Sequence, residues 1–129
     1  MQTPEFLSIA DVLVIHADQI DSFGGSPGVR DQGLLESALA QPQATFGGEF
    51  LHATIAQQAA AYLYHLAMNH PFIDGNKRTA FAAMDAFLRL NGVLLGFTDD
   101  EAYHLVIRVA QGALNKDELA DMLQAALQE

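Results

Sequence analysis

The sequence has no cysteine, few cations and no long hydrophobic run, and each absence excludes a class of function. Without cysteine, the chain has no disulfide framework, no thiol nucleophile and no cysteine-ligated zinc site. Six Lys and Arg residues stand against sixteen Asp and Glu residues, and the net charge of -10 argues against broad electrostatic binding to nucleic acid. No apolar stretch approaches the roughly 20 residues that a membrane span requires.

The length and composition predict a single folded domain. A chain of 129 residues, half of them hydrophobic, can bury one sizeable core but not two, so we expect residues 1–129 to form one domain. The N-terminus, MQTPEFLS, lacks the basic-then-apolar order of a signal peptide. We therefore expect a soluble cytoplasmic protein with neither a membrane partner nor a direct nucleic-acid partner.

Apolar residues recur at helical spacing along almost the whole chain, and no segment alternates as a strand does. Capping patterns at Ser8, Thr98 and Asn115 and the turn segment FGGSPG mark several helix ends. The loop QPQATFGGEF is predicted to be a mobile flap or a small hairpin, because two aromatics flank a glycine pair. The predicted fold class is a compact all-α domain, with helices at about residues 8–22, 32–40, 52–69, 77–91, 98–111 and 115–128.

The segment NHPFIDGNKRTAF, residues 69–81, collects polar residues between two apolar helices. Pro71 disfavours helical geometry in the residue before it, so the preceding helix ends at or just before His70. Helical spacing resumes near Lys77. The residues between the two helices therefore form a loop, and Phe72 is expected to anchor that loop on the core.

The start of the second of these helices is predicted to bind an anion. Unpaired main-chain amides point out of a helix N-terminus, where the macrodipole is positive. Gly75 lets the backbone approach a ligand closely, and Lys77 and Arg78 add full charges beside the amides. Cations at a helix N-terminus oppose the dipole, so a bound phosphate would relieve an electrostatic conflict. The predicted phosphate site comprises Gly75, Asn76, Lys77 and Arg78.

Two further residues of the loop suit chemistry on a bound phosphate. Asp74 adjoins the predicted phosphate site, and Mg²⁺ prefers one or two carboxylates together with phosphate oxygens. His70 lies at the other edge of the loop and is a candidate base for an incoming hydroxyl. Each also has a structural alternative, His70 as a helix C-cap and Asp74 as an N-cap or turn residue. The remaining histidines show no metal-ligand spacing and are expected to pack or to lie on the surface: His16, His52, His65 and His104.

HPFIDGNKRTAF resembles the signature of the Fic/Doc superfamily. The Fic branch reads roughly HxFxDGNGRxxR, and the Doc branch, the death-on-curing toxins, has NKR in place of NGR. The segments FLSIADVLVIH, FGGSPGVRDQGLLESALAQPQATFGG and AYLYHLAMNHPF also resemble Doc-type toxins, so the likeness covers nearly the whole chain. It implies a compact bundle of about six helices with the active-site loop between two central helices and a small flap. It also implies an enzyme that uses ATP and Mg²⁺ to modify a hydroxyl of a target protein.

The resemblance implies a role for each residue of the loop. His70 would be the base that activates the target hydroxyl, and Asp74 would hold Mg²⁺. Residues 44–48 fall where family members carry a flap that positions the target peptide by strand addition. The residues that would bind the phosphates are Gly75, Asn76, Lys77 and Arg78.

Two positions depart from the Fic signature and favour the Doc reaction. Lys77 stands where Fic proteins have their second glycine, and Phe81 where they have their second arginine. In the Doc branch the implied reaction transfers the γ-phosphoryl group of ATP to a translation elongation factor. The alternatives are transfer of AMP, as in Fic proteins, and a catalytically silent domain that binds a nucleotide or its antitoxin. Doc-type toxins are normally held by an antitoxin whose disordered C-terminal segment folds onto them, so the resemblance also implies that partner.

Overall fold

The computed structural model describes residues 3–128, which form six α-helices and two pairs of very short strands. The all-α prediction is therefore confirmed. The helices are α1 Ile9–Phe23, α2 Gln32–Ala40, α3 Ile55–Asn69, α4 Asn76–Leu90, α5 Asp99–Ala110 and α6 Lys116–Ala126. The strands are β1 Thr45–Phe46, β2 Glu49–Phe50, β3 Leu94–Leu95 and β4 Leu127–Gln128. None of the described helices is long and apolar enough to cross a membrane.

Local capping determines where most of the helices begin. Ser8, Thr54, Thr98 and Asn115 each accept a hydrogen bond from the amide three residues later, and that later side chain bonds back to the capping residue. Asp31 caps α2 through its carboxylate, which accepts from the Leu34 amide. The predicted starts of α1, α2, α5 and α6 are confirmed to within a residue.

Two predicted helix limits are wrong. The third helix begins at Ile55 rather than near residue 52, because Thr54 has extended geometry and serves as its N-cap. The last helix ends at Ala126 rather than near residue 128, because Leu127 is extended and pairs with Leu95 in an antiparallel ladder. The Gly96 amide donates to the carbonyl of the last residue of α6 at 2.9 Å, which draws the chain end into this pairing.

Helix α3 is the centre of the core and packs against α2, α4, α5 and α6. Nine of its fifteen residues are buried, and several are alanines that allow neighbouring backbones to come close. Tyr62 and Phe87 add large apolar contacts between α3 and α4, with ring centroids 4.9 Å apart. Because both helices lie in the core, the loop that joins them is held at both ends.

The predicted flap is a small antiparallel hairpin. Thr45 pairs with Phe50, and Phe46 pairs with Glu49, across a turn formed by Gly47 and Gly48. The Phe46 side chain is 81% exposed, so its ring is free to contact another molecule. Of the two alternatives for this segment, the structure bears out the hairpin.

Candidate active site

His70 ends α3 in the left-handed conformation, with φ 47° and ψ 56°. It is the only non-glycine residue with positive φ among residues 3–128, and this geometry is uncommon for a residue with a side chain. Arg30 stabilises the turn, because its Nε donates to the His70 carbonyl at 2.7 Å and its Nη2 donates to the Asn69 carbonyl at 3.0 Å. The His70 side chain is exposed, so its ring is presented to solvent at a rigidly held position.

Phe72 and Asn76 close the loop through two reciprocal hydrogen bonds. The Phe72 amide donates to Asn76 Oδ1 at 2.9 Å, and Asn76 Nδ2 donates to the Phe72 carbonyl at 3.0 Å. The Phe72 ring is 1% exposed and belongs to the core, as expected for an anchor. The side chain of Asn76 is thus committed to the loop, and its main-chain amide is the group left to meet a ligand.

The N-terminus of α4 differs from the other helix starts of the described chain. Its N-cap is Gly75, at φ 75°, and no side chain caps it, whereas the other five helices have a side-chain cap. The amides of the first turn therefore lack an intrahelical partner at the positive end of the helix dipole. Lys77 is exposed beside them and forms neither a hydrogen bond nor an ion pair through its side chain with residues 3–128.

Arg78 links the start of α4 to the end of α1. Its Nη2 donates to the Gly24 carbonyl at 2.9 Å, and its Nη1 donates to the Phe23 carbonyl at 3.4 Å. The guanidinium carbon lies 5.4 Å from the centroid of the Phe23 ring. A cation at the C-terminus of α1 interacts favourably with that helix dipole, so Arg78 has a structural role besides any contact with a ligand.

The carboxylate of Asp74 is held by two main-chain amides. Oδ2 accepts from Ser26 at 3.2 Å, and Oδ1 accepts from Gly75 at 2.9 Å. These bonds, with that from Ser26 the larger effect, lower the pKa of Asp74 below its ordinary value. Gly25 is required beside it, since a Cβ at that position would lie 2.7 Å from Asp74 Oδ2. Asp74 is therefore ionised at neutral pH and fixed in direction.

The donor set fits a metal that shares its ligands with a nucleotide. Within residues 3–128 there is no group of three or more His, Asp or Glu side chains placed to hold a metal ion. A cation at Asp74 would thus take its other ligands from phosphate oxygens and water. Mg²⁺ has this preference.

His16 is the site residue that the sequence did not reveal. It lies on α1, is 4% exposed, and places Nε2 2.8 Å from the Asp74 carbonyl oxygen. Its ring stacks on that of Phe72, with centroids 3.8 Å apart. The expectation that His16 packs is confirmed, but its partners are residues of the loop some 58 positions later in the chain.

A cleft of about 860 Å³ between α1, α4 and α5 brings the predicted residues together. Its volume lies within the range of small-molecule sites. Exposed apolar side chains form part of its wall, among them Phe23 on α1, Ile73 in the loop and Tyr103 on α5. The sequence had assigned no role to α5. All six residues predicted for the site line this cleft: His70, Asp74, Gly75, Asn76, Lys77 and Arg78.

Comparison with known proteins identifies the family of the chain. The family model described as "Fic/DOC family" matches residues 6–88. The chain is 46% identical over 118 residues to a protein named Toxin Doc from Mycolicibacterium smegmatis, covering 90% of this chain and 88% of that protein. It is 33% identical over 118 residues to a protein named Protein kinase doc from Escherichia phage P1, covering 92% of each. The chain therefore belongs to the Fic/DOC family.

Proposed function

We propose that this protein is a Doc-type toxin that transfers the γ-phosphoryl group of ATP to a hydroxyl of a target protein. The observation that carries the proposal is the N-terminus of α4, which lacks a side-chain cap and lines the same cleft as His70 and Asp74. The names of the two relatives, a toxin and a protein kinase, support the same reaction.

In this reaction His70 acts as the base. Its ring forms no hydrogen bond with other described residues, whereas its main chain is fixed by Arg30. The imidazole takes the proton of the target hydroxyl as the hydroxyl oxygen forms a bond to the γ-phosphorus. The bond from that phosphorus to the oxygen bridging to the β-phosphate breaks, and ADP leaves with the electron pair.

The cradle at the start of α4 stabilises the charge on the phosphates. The main-chain amides of Asn76 and Lys77 lie at the N-terminus of α4, which is the positive end of the helix dipole. The exposed Lys77 ammonium is free to approach the transferred group. Arg78 would contribute the N–H groups that it does not use on the end of α1. Asp74 would hold Mg²⁺, which when bound neutralises charge on the phosphates.

Lys77 and Phe81 favour phosphoryl transfer over AMP transfer. Phe81 lines the cleft at the position where Fic proteins have a second arginine, and its ring offers no hydrogen-bond donor to a phosphate. Lys77 also lines the cleft, and it would bring a side chain to the place where Fic proteins have a glycine. We infer that the distal phosphates of ATP bind differently from those in a Fic site, with the γ-phosphorus presented to the hydroxyl.

The position of the label in ATP tests this reaction. The purified protein is incubated with cell extract and with either γ-labelled or α-labelled ATP, and labelled proteins are identified by mass. We expect label from the γ-position only, and none with the variant His70→Ala. Incorporation from the α-position would identify an AMP transferase instead, and no incorporation of either label would contradict an enzymatic role.

We further propose that the target is a translation elongation factor in the cytoplasm and that an antitoxin with a disordered C-terminal segment inhibits the toxin. The exposed apolar side chains of the cleft, such as Phe23 and Tyr103, offer a surface for a folding segment. The net charge of -10 favours basic stretches in that partner. Growth arrest on expression of the protein alone, relieved by co-expression of an adjacent reading frame, is the expected result.

A further inference from the structure

His16 joins α1 to the active-site loop at two points. Its Nε2 lies 2.8 Å from the carbonyl oxygen of Asp74, and its ring stacks on Phe72 with an interplanar angle of 6°. Alone among the five histidines, all of which lie in the described residues, it is buried. A polar ring buried in an apolar stripe costs free energy unless it is hydrogen-bonded, so the bond to Asp74 offsets this cost.

The contact between His16 and the Asp74 carbonyl determines which ring nitrogen of His16 carries a proton. A carbonyl oxygen only accepts hydrogen bonds, so Nε2 must be the donor. Stacking on Phe72 prevents the ring from turning away. The main chain of Asp74 is thereby tied to α1, while its carboxylate is tied to the amides of Ser26 and Gly75.

We propose that His16 is a positioning residue that fixes the orientation of Asp74 for Mg²⁺ bound with ATP. The proposal rests on the function proposed above. His16 is not among the residues that line the cleft, so it acts through Asp74. If the Asp74 carbonyl were released, the peptide between Asp74 and Gly75 could rotate, and the carboxylate would lose its fixed direction.

Packing alone does not explain a histidine at this position. Phenylalanine has a similar flat ring and would stack on Phe72, but it has no donor for the Asp74 carbonyl. Glutamine has a donor the same number of bonds from its Cα, but it has no ring. The variants His16→Phe and His16→Gln therefore separate stacking from hydrogen bonding.

The first measurement uses the protein without nucleotide. Hydrogen exchange of the Ser26 and Gly75 amides, which donate to the Asp74 carboxylate, is compared in the wild type and the two variants. We expect exchange to be about tenfold faster in His16→Phe and near the wild-type rate in His16→Gln. The Gly24 amide, which bonds to the Ile20 carbonyl at the end of α1, is the internal reference. Unchanged exchange in His16→Phe would overturn the proposal.

The second measurement is the Mg²⁺ dependence of transfer at saturating ATP. In His16→Phe we expect the Mg²⁺ concentration for half-maximal rate to rise about tenfold while kcat at saturating Mg²⁺ is largely kept. His16→Gln should stay within about threefold of the wild type. An unchanged Mg²⁺ curve in His16→Phe, or equal loss in both variants, would overturn the proposal. If the wild type transfers nothing, the proposed function is wrong, and the exchange rates alone then decide whether His16 holds Asp74.

Discussion

Arg30 donates from Nε to the carbonyl oxygen of His70 over 2.7 Å and holds the residue that we propose as the base. Arg30 follows the turn after α1, so a residue from the first third of the chain fixes the end of α3. We expect Arg30→Ala to lower kcat with little change in the KM for ATP, because the proposed base is displaced while the proposed phosphate site at the start of α4 is kept. The free energy of unfolding should fall by about 1 kcal/mol, since two hydrogen bonds to carbonyls are lost.

Arg108→Ala is the matched control for that prediction. Arg108 is an exposed residue of α5 whose side chain makes no hydrogen bond or ion pair within the described part of the chain. Steady-state kinetics and urea unfolding should leave this control near the wild type. Equal effects of the two substitutions would show that Arg30 has no special role at His70.

His70→Gly should produce a protein that is more stable and inactive. Glycine adopts the left-handed conformation of this C-cap without the penalty that a side chain incurs, so the free energy of unfolding should rise by about 1 kcal/mol. Transfer should fall by about 10²- to 10⁴-fold, the usual loss of a general base. Thermal unfolding together with the transfer assay measures both effects. A stable variant with full activity would exclude His70 as the base.

Asp74→Asn should weaken Mg²⁺-dependent turnover more than it weakens metal-free nucleotide binding. The amide keeps the shape of the carboxylate but loses the charge that Mg²⁺ requires. Asp85→Asn is the control, because Asp85 lines the same cleft but is paired with Arg89 at 2.8 Å. Calorimetric titration of ATP with and without Mg²⁺ distinguishes the two variants. If both variants respond alike to Mg²⁺, Asp74 is not the metal ligand.

Gly75→Ala and Gly92→Ala compare the two ends of α4. Both glycines have positive φ, 75° and 80°, so each alanine should cost about 1 kcal/mol of stability. Only at Gly75 would the added Cβ meet a neighbour, Ile20 Cδ1 at 3.1 Å; at Gly92 nothing lies within 4 Å. We expect ATP affinity to fall in Gly75→Ala and to be kept in Gly92→Ala. Equal ATP affinity in the two variants would contradict a phosphate site at Gly75.

Stability should decrease in mildly acidic solution because of His65. Burial, and secondly the positive charge of Lys116, lowers the pKa of His65 from 6.5 to about 4. The Lys116 ammonium lies 3.1 Å from His65 Nε2, a contact that only the neutral ring accepts. As the pH falls, His65 takes up its proton near pH 6.5 in the unfolded chain but only near pH 4 in the folded chain. Protonation therefore favours the unfolded chain between these values, and the free energy of unfolding decreases as the pH falls from 6.5 towards 4.

Urea unfolding between pH 7.5 and pH 4.5, about the span of this titration, measures that effect. His65→Gln should show a flatter pH dependence of the unfolding midpoint than the wild type. His104→Gln, at an exposed position of α5, serves as the control and should retain the wild-type slope. If the unfolding midpoint of His65→Gln depended on pH as steeply as that of the wild type, His65 would not be the source of the pH dependence.

The features that could be predicted from the sequence depend on residues close together in the chain. The capping boxes at Ser8 and Thr98 involve residues three apart, and the proline after His70 acts on its neighbour, so these helix limits and the loop were predictable. The capping box of Thr54 and Gln57 is equally local, but the start of α3 was nevertheless predicted too early. The uncapped start of α4, at which we propose phosphate binding, also comes from consecutive residues. The clustering of these residues in one cleft follows from the two core helices that bound the loop.

Contacts between distant segments were not predictable in this way. Nothing in the helical stripe of α1 distinguishes His16 from a packing residue, since its partners lie in the loop after α3. The strand at Leu127 depends on Leu95, which is remote in the chain. Asn76 was assigned to phosphate binding from its place in the motif, but the bonding of its side chain to Phe72 emerged only from the fold.

The exposed turn of the flap divides the chain into two parts with different contributions to the site. His16, Ser26 and Arg30 precede Gly47-Gly48, and the loop that they hold follows it. A single cut between the two glycines would therefore leave one fragment with the residues that we propose for the reaction and the other with the residues that hold them. Neither fragment alone would retain the arrangement of Asp74 and His70. The protein thus has a natural split point, at which activity would report the reassociation of two separately produced halves.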